Sequence, residues 1–228
     1  MGTLYVVGTP IGNLEDMTFR AVRVLREVNL IAAEDTRTSR VLLKHYEIET
    51  PTTSFHAFTG SGKVLRLVER LEDGDVAIIS DAGTPGISDP GYPLIRAAID
   101  AGYPVIPIPG PSAVIAALVA SGIPMHAFTF LGFLPRKSGQ RRSLLAAHAS
   151  LDHALLAFES PHRLRAALTD IAAELGDRPM VAARELTKKF EESVRGSVST
   201  VLEHFTAHEP RGEFTLVIAG AGQGPVLE

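Results

Sequence analysis

The chain has 228 residues, 45% of them apolar and 21% charged, with 22 Lys+Arg against 26 Asp+Glu. That is enough apolar material for one large or two small domains, and it excludes disorder, collagen-like repetition and a disulfide scaffold. The lack of cysteine removes disulfides, Cys-ligated zinc and a thiol nucleophile, and the formal charge of -4 excludes a surface coated in basic residues.

The opening Met1-Gly2-Thr3-Leu4-Tyr5-Val6-Val7 has no basic segment and no long apolar run, so no signal peptide is expected. No stretch reaches the roughly eighteen apolar residues of a membrane span, and the expectation is a soluble, cytoplasmic protein. Leu4–Val7, Leu30–Ala33, Val76–Ile79 and Val105–Ile108 are compact Val- and Ile-rich runs closed by Gly, Pro, Asp or Thr, as buried parallel strands are. Helical patterns lie between them. Thr18 is placed to cap the first, with Val22, Leu25 and Val28 or Asn29 on one face, and a later one repeats Val64, Val68 and Leu71. This alternation predicts an open α/β sheet.

Pro107-Ile108-Pro109-Gly110-Pro111 cannot sit inside a helix, so the domain boundary is expected there, dividing the chain into 1–110 and 111–228. The second half has strand candidates at 128–132, 154–159, 180–183, 194–197 and 214–219. Helical patterns at 142–149, 164–175 and 200–204 separate them, after a helix at 114–120. The chain therefore reads as two α/β halves without an internal repeat.

Glycine and proline gather directly after the strand candidates, where ligand sites of open α/β sheets lie. Gly8-Thr9-Pro10-Ile11-Gly12-Asn13 follows the first strand, but Pro10 stands where a dinucleotide fingerprint needs its second glycine. The loop is either a tight turn or a place where backbone approaches a ligand. Asp81-Ala82-Gly83-Thr84-Pro85-Gly86-Ile87-Ser88-Asp89-Pro90-Gly91 is longer than the ~2–6 residues a strand-to-helix connection needs, which points to a binding surface. Pro109-Gly110-Pro111-Ser112-Ala113 precedes a helix that Ser112 can cap, and the same groups can meet a ligand. Gly60-Ser61-Gly62-Lys63 is not a P-loop, because Val64 replaces the hydroxyl residue and Ala57 the first glycine.

Read together, these blocks resemble the ribosomal RNA small subunit methyltransferase I family. The likeness is carried by Leu4 through Leu14, Ala33-Glu34-Asp35-Thr36-Arg37, Asp81 through Pro93 and Pro109-Gly110-Pro111. It continues through Gly132-Phe133-Leu134-Pro135-Arg136-Lys137, Glu159-Ser160-Pro161-His162-Arg163 and Ala183-Arg184-Glu185-Leu186-Thr187-Lys188. The resemblance implies a tetrapyrrole-methylase fold of two α/β domains with S-adenosylmethionine (SAM) in the cleft between them. It also implies 2′-O-methylation of a cytidine ribose in the decoding region of 16S rRNA, by a homodimer. Members of the family often continue into a small carboxy-terminal module that would add RNA or ribosome contacts. This sequence ends at Gly224-Pro225-Val226-Leu227-Glu228.

Carried over residue by residue, the family's cofactor loops assign SAM contacts to Pro10 and Ile11, to Asp81, Gly83, Thr84 and Ile87, and to Ser112 and Ala113. Phe158 and Leu186 are expected to close the adenine pocket. Asp81 could instead be a turn carboxylate. The reaction is an in-line displacement on a sulfonium methyl, so no metal is needed. His204 and His208 are four apart but read as a solvated helix face, since no third ligand is near.

The ribose hydroxyl must lose its proton, and a carboxylate or a depressed lysine can take it. The candidates are Asp35, favoured, with Glu34, Glu185 and Lys188; each can equally be part of a salt bridge at a strand end. Arg37 is either the partner of the first acids or an RNA contact. No Asp or Glu occurs from Ala101 through Leu151, whereas Arg136, Lys137, Arg141 and Arg142 cluster there, with Arg163 and Arg165 following. These read as a phosphate clamp or a solvated basic face, and Phe133 beside them as a base-stacking ring or a core residue. Two other functions fit the same loops: a tetrapyrrole (porphyrin or corrin) C-methyltransferase, and a SAM-binding protein without turnover.

Overall fold

The computed structural model describes residues 2–224. Met1 and the closing residues 225–228 lie outside the described residues. The chain separates into two compact units, Met1–Ser112 and Ala113–Glu228.

The first unit is a five-stranded parallel sheet in the order β3-β2-β4-β1-β5. Its strands are β1 (Leu4–Val7), β2 (Leu30–Ala33), β3 (Thr52–Ser54), β4 (Val76–Ile79) and β5 (Val105–Ile108). Four of these coincide with the apolar runs of the sequence. β3 does not, because it is an edge strand of two threonines and a serine with no apolar face to signal it.

Side chains alternate through the sheet and send two sets of helices to opposite faces. Val7, Ile31, Ala33 and Ile79 pack under α1 (Phe19–Glu27) and α2 (Thr36–His45). Leu4, Val6, Ala32 and Ile78 pack under α3 (Ser61–Asp73) and α4 (Tyr92–Asp100). Thr18 caps α1, its hydroxyl accepting from the Ala21 amide at 3.1 Å. That helix stops at Glu27, and Asn29 leaves it to accept from the Asp75 amide at 3.0 Å.

The connections after β1 and β2 lead to one face, while that after β4, which lies between them, leads to the other. Such a divergence opens a crevice at the carboxyl ends of the strands.

The second unit is a mixed sheet, β6-β7-β10-β8-β9. Its strands are β6 (Phe128–Phe133), β7 (Ala154–Glu159), β8 (Pro179–Arg184), β9 (Glu192–Ser197) and β10 (Phe214–Ile218). β6 and β7 are parallel, and β10 runs antiparallel between β7 and β8. One face carries α6 (Ser138–Ala147), α7 (Leu164–Leu175) and α8 (Val198–Ala207); the other carries α5 (Ala113–Ser121). α6 begins four residues before the expected helix, so Ser138 and Gly139 lie within it.

Candidate functional site

The loops picked out after β1, β4 and β5 meet at the carboxyl edge of the first sheet. Thr9 and Gly83 pair as an isolated antiparallel bridge, with N–H···O distances of 2.8 and 3.1 Å. The Thr9 hydroxyl is buried and donates to the Ser80 carbonyl at 3.1 Å, which satisfies it inside the turn.

Glycine is required where these loops touch. A Cβ on Gly110 would lie 2.8 Å from the Gly8 carbonyl, and one on Gly8 would lie 2.9 Å from the Gly110 Cα. Gly83 has φ +74 and faces Ile11, whose Cγ2 is 3.6 Å from where a Cβ would stand. Pro10 is buried, Ile11 half-buried, and Thr84 and Ile87 are exposed on the same rim. Ser112 ends the first unit and Ala113 opens α5.

The end of β2 joins this junction through a reciprocal exchange. The Asp81 amide donates to Glu34 Oε2 at 3.2 Å, and the Asp35 amide donates to Asp81 Oδ1 at 3.2 Å. Burial raises the Glu34 pKa; the hydrogen bond from the Asp81 amide opposes this, and the Asp81 and Asp35 charges add to it. Asp81 is also raised, first by burial, against the hydrogen bond from the Asp35 amide. Two carboxyl groups with raised pKa values stand side by side at the crevice, and a cation placed beside them favours their ionised forms.

The favoured base, Asp35, takes a different part. Its carboxylate caps α2 through the Arg37 amide at 2.8 Å and pairs with the Arg37 guanidinium at 2.7 Å. Those bonds hold its pKa at about 2. A carboxylate so well satisfied is a weak proton acceptor. Arg37 is thereby tied to Asp35, although its side chain stays 90% exposed.

Lys188 is held in an ion-pair network. Burial pulls its pKa down, but the Glu213 and Glu185 carboxylates at 2.7 and 2.9 Å outweigh burial and raise it. It is held charged, whereas a base must be neutral. Glu185 is lowered: burial raises it, and the Lys188 hydrogen bond and the Glu213 amide outweigh burial.

In the second unit, Phe158 and Leu186 pack on the same cluster with Phe130, at the end where β7 and β8 finish. The basic group divides. Arg141 is buried and bonded to Asp170 at 2.7 Å, with Pro135 accepting from it at 3.1 Å, so it belongs to the core and cannot meet a phosphate. Arg163 is mostly buried, paired with Glu159 at 2.6 Å and donating to the Leu134 carbonyl at 3.1 Å. Both brace the 132–137 loop. Arg142 is exposed and paired with Glu174, and Arg165 donates to the Phe205 carbonyl at 2.5 Å. Arg136 and Lys137 are exposed and have no ion-pair partner among the described residues. Phe133 is 56% exposed.

Sequence reasoning missed Thr9, whose two-sided bonding locks the junction, and the strained turn after β8. Glu185 and Thr187 there have φ of 50° and 68°, values that only glycine adopts freely. A threonine directly after the glycine that follows β1 is the one readable signal for Thr9.

Among the described residues no group of His, Cys, Asp and Glu is arranged to hold a metal ion, and no helix is long and apolar enough to cross a membrane.

A family model for Tetrapyrrole (Corrin/Porphyrin) Methylases matches residues 3–202. The chain is 50% identical, over 97% of its length and 80% of the relative's, to "Ribosomal RNA small subunit methyltransferase I" of Synechocystis sp.. It is 47% identical, over 97% of its length and 77% of the relative's, to the protein of the same name from Halalkalibacterium halodurans. Among solved structures it is similar to the methyltransferase CobJ, with a TM-score of 0.71 at 18% identity over 97% of this chain and 95% of that one. It is also similar to a diphthine synthase, with a TM-score of 0.70 at 13% identity over 96% and 90%. At such identities the likeness is one of fold.

Proposed function

Because this chain belongs to the tetrapyrrole (corrin/porphyrin) methylase family, and within it to the ribosomal RNA small subunit methyltransferase I proteins, we propose that it is a SAM-dependent methyltransferase of small-subunit ribosomal RNA. The finer reading is methylation of the ribose 2′-hydroxyl of a cytidine in the decoding region of 16S rRNA.

The observation that carries this reading is the junction at the carboxyl edge of the first sheet. The Gly8–Gly110 approach and the Thr9–Gly83 bridge draw the loops after β1, β4 and β5 together at one place. Glu34 and Asp81 put negative charge beside it, as a donor with cationic sulfur and ammonium groups requires. SAM, when bound, supplies an electrophilic methyl whose leaving group is a neutral thioether.

The chain's own residues supply position and charge. Pro10, Ile11, Gly83, Thr84, Ile87 and Ser112 line the proposed cofactor site at the edge of the first sheet, and in the second unit Phe158 and Leu186 pack on one cluster with Phe130. Glu34 accepts the proton of the attacking hydroxyl, a role worth ~10²–10⁴-fold in rate. Alignment of oxygen, carbon and sulfur contributes up to ~7–11 kcal/mol in favourable cases. Arg136 and Lys137 hold phosphates, and Arg142 and the exposed face of Arg37 are further cations open to the RNA backbone. The working form is a cytoplasmic homodimer, which light scattering of the purified protein tests.

The test is transfer of label from methyl-tritiated SAM to hypomethylated small ribosomal subunits, with uroporphyrinogen as a parallel acceptor. Label in alkali-resistant cytidine dinucleotides is expected. Label on the tetrapyrrole, or none on either acceptor, would overturn the proposal.

A further inference from the structure

One edge of the second sheet collects more than the basic loop. The registers place Phe133 beside Phe158, and Glu159, Phe214, Arg184 and Glu192 in one row, so the segments following β6, β7 and β8 all leave from that edge. Glu159 pairs with Arg163, Glu192 with Arg184, and Glu185 and Glu213 share Lys188, while the Glu191 carboxylate accepts from the Thr187 amide at 2.5 Å. Arg136, Lys137 and Lys189 are exposed and have no ion-pair partner among the described residues.

Beside the last of these cations stands Phe190, 64% exposed, with Lys189 Nζ 5.6 Å from the centre of its ring. No other large apolar side chain between Arg184 and Ser197 is exposed, so the ring is isolated and no apolar patch surrounds it. The turn that carries it is braced. Glu185 and Thr187 are in left-handed conformation, and Glu185 Oε1 accepts from both Lys188 Nζ at 2.9 Å and the Glu213 amide at 3.0 Å. A braced turn presenting a bare ring loses little freedom when something stacks on it.

We propose that the Glu185–Phe190 turn is a second contact point for a single-stranded segment of the substrate RNA, with Phe190 stacking on a base and Lys189 meeting the adjoining phosphate. Phe133 with Arg136 and Lys137 forms the first. β6 and β8 are three strand positions apart in the sheet, so the two points are separated by roughly 14 Å, a span for a few splayed nucleotides. Exposed rings with cations beside them are the elements by which unpaired bases and their backbone are held. A lipid surface would call for contiguous apolar area, and duplex RNA offers no base face to stack on. This inference rests on the RNA-methyltransferase reading.

The experiment measures binding of a fluorescein-labelled single-stranded oligonucleotide of decoding-region sequence by anisotropy over a range of salt, with SAM affinity and oligomeric state measured in parallel. Phe190→Ala is expected to weaken RNA binding by roughly 5- to 150-fold, with SAM affinity and oligomeric state unchanged, and Phe190→Trp to restore it. Lys189→Met is expected to reduce the slope of log affinity against log salt by about 0.7. Wild-type affinity in Phe190→Ala, or an altered oligomeric state in its place, would overturn the inference while the wild-type enzyme still methylates subunits. Failure of the wild-type protein to methylate them would overturn the reading beneath it.

Discussion

Arg141 is where charge pattern and structure diverge most, and its replacement has a calculable cost. Its side chain is 4% exposed and that of Asp170 12%. Asp170 also accepts from the Ser138 hydroxyl at 3.1 and 3.0 Å, and Arg141 reaches back to the Pro135 carbonyl. Arg141→Ala leaves a carboxylate in the interior with only one hydroxyl to satisfy it. Breaking a buried pair in this way costs about 3–5 kcal/mol. At ~2–4 °C per kcal/mol for a chain of this size, the melting temperature should fall by about 6–20 °C. Removing both charges, as Arg141→Met with Asp170→Leu, avoids the stranded carboxylate and should recover most of that loss. Thermal and urea unfolding followed by circular dichroism measure both. The double variant should also bind single-stranded RNA with the wild-type salt slope, because Arg141 neutralises no phosphate. A single variant destabilised by less than about 1 kcal/mol, or a double variant whose slope falls by about 0.7, would refute the structural role.

Glu34→Gln should slow the chemical step by ~10²–10⁴-fold in single-turnover measurements at saturating SAM. Glu34 must be ionised to act and burial raises its pKa, so activity should fall as pH drops through a value above the ordinary glutamate range, and Gln should abolish that limb. Asp35→Asn should leave the pH profile unchanged and lower the melting temperature only slightly, since asparagine still caps α2 and only the exposed Arg37 pair is lost; a shifted profile would return Asp35 to the chemistry. Gly110→Ala forces a Cβ to 2.8 Å from the Gly8 backbone, so calorimetry should show weaker SAM binding together with about 1–3 kcal/mol of destabilisation. Charge reversal at Arg136 and Lys137 should weaken RNA binding and lower its salt slope by at least about 0.7 for each phosphate that is no longer neutralised.

The first sheet was legible because buried parallel strands have no polar face: β1, β2, β4 and β5 coincide with their apolar runs. β3 was silent, since an edge strand of Thr52, Thr53 and Ser54 looks like a loop. α7 was read to its ends because its apolar repeat is bounded by Arg163 and Gly176, whereas Gly139 hid the start of α6. The glycine–proline loops announced the site, because close backbone approach needs small residues whatever the ligand. The division of labour among charges was hidden. Burial of Arg141 depends on Asp170, which is 29 residues away, and capping by Asp35 satisfies the carboxylate that chemistry would need free. Phe190 carried no signal in its spacing, because exposure is a property of the fold around it.

The most direct measurement is titration calorimetry of SAM into the wild-type protein and into Asp81→Ala and Gly8→Ala variants that remain folded. Saturable binding to the wild type, with affinity sharply reduced in both variants, is the expected result. Equal affinity in all three proteins, or a wild type that takes up no SAM, would show that the carboxyl-edge junction of the first sheet is not the donor site.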